Sequence, residues 1–197
     1  MSNKKIYITV PHNSCIKGIR LCDLVAEKFA DIFYDKLNDD NIIVYIFKSN
    51  INRKILDANR FMTNKLNIKD SNLWQNIKDV FQYGDNILFD IHSFPDKYRE
   101  FHGKDIIILD NYPYQKFAIM LNEYLNKNNI NSKILEASTG NNAILDIFSL
   151  HPLYTPTILL EVNEKYLNND VKLNQIADIL IKFIKSYNYI KKYKFIN

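Results

Sequence analysis

The stretch Asn86-Ile87-Leu88-Phe89-Asp90-Ile91-His92-Ser93 decides how the chain is read. Its first half is a short apolar run, the mark of a strand buried on both faces of a sheet. Its second half sets an acid and a histidine where that run gives way to a loop. In α/β enzymes the carboxyl edge of a parallel sheet is where side chains are presented to a ligand. Two further strands end alike: Lys5-Ile6-Tyr7-Ile8-Thr9-Val10 stops at Pro11-His12, and Thr157-Ile158-Leu159-Leu160 stops at Glu161. As parallel neighbours they would bring His12, His92 and Glu161 to one rim of one sheet, which makes a metal or acid/base site the question to ask.

Outward from that stretch, strand and helix patterns alternate. Asn41 to Phe47 is β-branched and aromatic and reads as a second buried strand, followed by Asp105 to Leu109 and the short Ser132 to Ala137. Apolar residues at helical spacing predict helices over Asp23–Leu37, with Asp23 at the N-cap position, and over Ser71–Tyr83, stopped by Gly84. Pro113–Asn126, Asn141–Leu150 and Asn174–Ile190 follow as helices, while 13–21 and 94–103 read as loops. Residues 48–69 show no period and read as an irregular polar segment. The alternation predicts a three-layer α/β/α domain with a mixed, mostly parallel sheet.

At 197 residues the chain suits a single domain over 1–197, and its 47% hydrophobic content supplies a core. A net charge of +4 is mild, and no basic stripe interleaved with exposed aromatics marks a nucleic-acid groove. The lysines and tyrosines from Lys182 to Lys194 read as the solvated face of a terminal helix. No signal-peptide run and no membrane span is evident, and the two cysteines, Cys15 and Cys22, are too few for a disulfide framework. The expectation is a cytoplasmic protein with reduced thiols.

A catalytic zinc takes about three protein ligands from imidazole nitrogens and carboxylate oxygens, with one position left open. His12 and His92 supply two; Asp23 supplies the third, with Glu27 one turn further as the alternative. Asp23 reads equally as a helix cap. Asp90, two residues before His92, either orients an imidazole from behind or is itself a ligand. Glu161 ends an apolar strand, where an acid is costly unless paired, for example with Lys165, or used to move a proton. Arg53 and Arg60 stand out among lysines, and their planar forks suit carboxylates and developing oxyanions. His102 and His151 fall in loops.

The ordered set Pro11-His12-Asn13-Ser14, Asp23, Arg53, Asp57-Ala58-Asn59-Arg60, Asp90-Ile91-His92-Ser93 and Leu160-Glu161-Val162-Asn163 resembles the N-formylglutamate amidohydrolase family, relatives of the zinc carboxypeptidases and aspartoacylases. The resemblance implies a phosphorylase/hydrolase-like fold and zinc held by His12, Asp23 and His92, with Glu27 in reserve. It implies Glu161 as general base, Arg53 as the group polarising the scissile carbonyl, and Asn59 with Arg60 as the clamp for a substrate carboxylate. The implied activity is hydrolysis of a C–N amide bond in a small acidic N-acyl amino acid or peptide. The alternative is a degenerate member that keeps the fold and only binds a ligand or protein. Asn13-Ser14-Cys15 and the short chain depart from the family and put formylglutamate itself in question more than hydrolysis.

Overall fold

The computed structural model describes residues 4–12, 22–40, 42–63, 66–67, 69, 71–83, 86–97, 99–110, 115–137, 142–149 and 155–194. The predicted loop 13–21, the Gly84 stop and His151 lie outside them. Six strands, β1 (Lys5–Val10), β2 (Ile43–Lys48), β5 (Ile87–Phe94), β6 (Ile106–Asp110), β7 (Ser132–Glu136) and β8 (Thr157–Asn163), form one sheet in the order β2-β1-β5-β8-β6-β7. Every pairing is parallel except β6 with β8, so the sheet is mixed and mostly parallel, as expected. Two short strands, β3 (Met62–Thr63) and β4 (Leu66–Asn67), pair antiparallel within the irregular polar segment.

Helices cover both faces. Ile6, Ile8 and Val10 of β1 and Ile87, Phe89 and Ile91 of β5 share a core with α1 (Ala26–Asp39), α3 (Gln115–Lys127) and α5 (Asp170–Lys194). Tyr7 and Leu88 point the other way, into a smaller cluster with α2 (Asn72–Val80) and α4 (Ala143–Ser149). The period of two along each strand makes this division and puts Asp90 and His92 on the face of Leu88. Burying Phe29, Phe33 and Leu37 along one stripe holds α1 down. At α2, Ser71 caps the helix by accepting from the Trp74 amide at 3.1 Å.

Three expectations are revised. β5 does not give way to a loop around His92 but runs on to Phe94, because β8 stays paired with it as far as Asn163. β2 is the sheet's edge and is only half-buried, so its apolar content reflects one covered face and not two. Asp23 is not a helix cap: α1 begins at Ala26 behind Val25 with no side-chain cap. Among the described residues no helix is long and apolar enough to cross a membrane.

Candidate metal and hydrolase site

β1, β5 and β8 lie side by side and parallel, so their carboxyl ends meet at one rim. His92 and Glu161 are direct neighbours in register on β5 and β8. His12 follows β1 in a turn, and its ring stands edge-on to that of His92 with centroids 4.8 Å apart. The backbone returns past that turn, where the Asp23 amide donates to the His12 carbonyl at 3.0 Å. This turns the Asp23 carboxylate inward: its Oδ2 lies 3.3 Å from His12 Nδ1 and 2.9 Å from His92 Nδ1. Glu27 is turned away on α1, paired with Lys48 at 3.1 Å.

The outer nitrogen of each imidazole faces a further carboxylate. His12 Nε2 lies 2.7 Å from Asp57 Oδ1, and His92 Nε2 lies 3.1 Å from Asp90 Oδ2. Asp90 is fixed in turn by the Thr9 hydroxyl, which donates to its Oδ1 at 2.6 Å. Asp90 thus sits behind its histidine, on the side away from Asp23. Asp57 has the same role toward His12, which the sequence reading did not assign. The available signal was an acid heading the Asp-x-Asn-Arg run; what was missing was knowledge that the turn after β2 folds over β1.

Asp57 also gathers the arginines. Arg53 Nε donates to its Oδ2 at 2.9 Å, Arg60 Nε lies 3.8 Å from the same oxygen, and Arg53 Nη1 lies 3.9 Å from Asp23 Oδ1. Asn59 is buried. Its backbone amide donates to Asp57 Oδ1 at 3.0 Å, its Nδ2 reaches Asn142 Oδ1 at 3.4 Å, and its Oδ1 accepts from the Ile144 amide at 3.3 Å. Its amide therefore holds α4 against the site, leaving Arg60 as the more open member of the pair. Lys165 pairs with Asp105 at 3.1 Å, not with Glu161.

Charge follows from these contacts. Burial opposes ionisation of Asp23, but hydrogen bonds from His12 and His92 outweigh it and hold the carboxyl well below the usual carboxylate range. Asp57 is lowered in the same way, burial being outweighed by His12 and Arg53. Burial disfavours charge on His92, yet Asp90 and Asp23 together raise it well above an ordinary imidazole. Among the described residues Glu161 has no such donor: burial pushes its carboxyl up to about 7, against the pull of the His92 charge.

The donor set fits a divalent cation. Among the described residues His12, Asp23 and His92 can offer three donor atoms that all lie within 4.8 Å of one another. Tetrahedral zinc with bonds of about 2.0–2.2 Å needs donor separations of about 3.3–3.6 Å. The 3.3 Å between His12 Nδ1 and Asp23 Oδ2 meets that, and the 2.9 Å to His92 is the length of a hydrogen bond that loss of its proton would release. Carboxylates behind both Nε2 atoms favour the tautomer that leaves Nδ1 free for a metal.

The group opens into a cleft of about 540 Å³, a volume suited to a small ligand, whose walls include Arg53, Arg60, Phe94, Phe101 and Glu161. Cys22, beside Asp23 in the same wall, is disulfide-bonded, which corrects the expectation of a reduced thiol there.

No family model matches the sequence, and no curated protein matches it. Solved structures do. Gene product Atu2144 from Agrobacterium tumefaciens is 13% identical with a TM-score of 0.69, over 96% of this chain and 92% of that one. The N-formylglutamate amidohydrolase of Ralstonia eutropha JMP134 is 10% identical with a TM-score of 0.55, over 95% of this chain and 94% of that one. A metallo-carboxypeptidase from Burkholderia cenocepacia is 11% identical with a TM-score of 0.58, over 95% of this chain but 58% of its own. At such identities the likeness is one of fold, and the fold is one this chain shares with hydrolases.

Proposed function

We propose that the protein is a zinc-dependent amidohydrolase that cleaves the C–N amide bond of a small acidic N-acyl amino acid or peptide. One observation carries the reading: two imidazoles converge through Nδ1 on one carboxylate oxygen while each Nε2 is backed by an acid of its own. A histidine pair serving only stability has no need of that symmetry. The hydrolase fold and the cleft support the same reading.

His12, Asp23 and His92 would hold the metal, with Asp57 and Asp90 fixing the two rings. Zinc bound there supplies Lewis acidity, acidifying water and polarising a carbonyl. Arg60 grips the substrate carboxylate, with Asn59 holding the wall behind it. Arg53, fixed at Nε by Asp57, turns the rest of its guanidinium toward the oxyanion that forms as water's oxygen bonds to the amide carbon. Glu161 takes the proton from the attacking water and delivers it to the amide nitrogen as the C–N bond breaks, so a carboxylate and an amine leave.

Dialysis against a chelator is expected to abolish hydrolysis of N-acyl amino acids, and one equivalent of zinc to restore it. Protein that binds no zinc, or hydrolyses equally well without it, refutes the reading. Asp57→Asn should weaken zinc binding by about 10–100-fold, measured by competition with a chromophoric chelator, while folding is retained.

A further inference from the structure

The sheet order gives the cleft two flanks. The segment after β2 brings Arg53 and Arg60 to one. The turn after β5 forms the other and is tied to the end of β8, where Asn163 Nδ2 donates to Asp96 Oδ1 at 2.7 Å. This second flank carries Phe94, Pro95, Lys97 and Phe101, none used by the mechanism above. Phe94 lies on the His92 face of β5, and its ring meets Phe101 edge-on with centroids 5.4 Å apart. Lys97 is exposed and, among the described residues, has no hydrogen-bond or ion-pair partner. By contrast Lys28, Lys36, Lys48, Lys165, Lys172 and Lys185 each face a carboxylate. Glu164, in the same wall, accepts from the Ser93 hydroxyl at 3.4 Å.

We infer that Phe94, Pro95, Phe101 and Lys97 form an acyl subsite for a chain of several carbons ending in an anionic group, so that the scissile bond is the half-amide of a dicarboxylic acid. The inference rests on the hydrolase reading and deepens it. With the amino-acid carboxylate on the arginine flank and the reacting carbon between His12, His92 and Glu161, the acyl group is directed to the opposite flank. A formyl group carries only hydrogen on its carbonyl carbon and leaves that flank unused. A longer chain lies along the aromatic edge and the proline, and its terminal charge meets Lys97, which has no partner among the described residues.

The test compares kcat/KM of the zinc-loaded protein for the N-formyl, N-pentanoyl and N-glutaryl derivatives of one amino acid. Pentanoyl and glutaryl have equal length and differ in the terminal carboxylate. The expected order is glutaryl, then pentanoyl, then formyl, each step about tenfold or more. Lys97→Met is expected to reduce the glutaryl-to-pentanoyl ratio about tenfold, and Phe101→Ala to reduce the ratio of either five-carbon substrate to formyl. Formyl turned over as well as the longer acyl groups overturns the subsite and leaves amide hydrolysis standing. Equal losses on all three substrates in Lys97→Met also overturn it. Turnover of none by protein that holds zinc overturns the subsite and the hydrolase reading together.

Discussion

Glu161→Gln is expected to lower kcat by about 10²–10⁴-fold while the protein holds as much zinc as before. Glutamine matches the shape of glutamate and is not a member of the converging donor group, so the cation site stays intact. What it cannot do is accept a proton. The acid sits beside His92 in register yet, among the described residues, lacks the hydrogen-bond donors that keep Asp23 and Asp57 ionised, and burial pushes its carboxyl up to about 7. The sign of the pH effect follows. Only the ionised base works, so kcat/KM falls as pH drops through the pKa of this group. A bound dication favours the ionised form, which puts the acid limb of the loaded enzyme between the ordinary carboxylate range and about 7. A pH–rate profile of the parent protein, with zinc content measured on parent and variant, checks both points. Turnover unchanged in the variant removes Glu161 from the mechanism.

His92→Ala has the second large effect, and it is read in two ways. Zinc bound after gel filtration is expected to fall from about one equivalent to near none, because two ligands of three remain. The metal-free fold also suffers. His92 lies between Asp23 and Asp90, and removing it leaves two buried carboxylates facing a gap, a change of the kind that costs about 3–5 kcal/mol. Urea unfolding of metal-free parent and variant measures that loss. In the metal-free parent the raised His92 pKa means that its stabilising charge is fully present below the unfolded imidazole value and is lost as pH rises through the folded one. Zinc must displace the same proton, so its affinity weakens as pH falls. A variant that keeps stoichiometric zinc removes His92 from the ligand set.

The convergence of His12, His92 and Glu161 was legible because each closes or follows a strand with a clear apolar run, and those strands became neighbours. Strand order itself was not legible, nor was the reversed direction of β6, since both depend on which helices cross over which face. Asp23 was legible as an acid near the helix start, but its two readings, cap or ligand, could be separated only by seeing the chain return past His12. The end of β5 was misjudged for a physical reason. Asp90, His92 and Ser93 are polar and mark a strand about to give way to a loop, yet a parallel partner satisfies their backbone whatever their side chains do. Asp57 stayed hidden because a turn without period carries it, and nothing local to that turn reveals which ring it will meet.

Asp57 touches several groups at once, among them the ring of His12, the guanidinium of Arg53 and the amide of Asn59. A cation held by His12 and an anion drawn to Arg53 therefore both act on one carboxylate. The two guests are thermodynamically linked: whatever factor the anion imposes on metal dissociation, the metal imposes on the anion in return. Affinity for either one is a property of the pair and has to be stated together with the occupancy of the other.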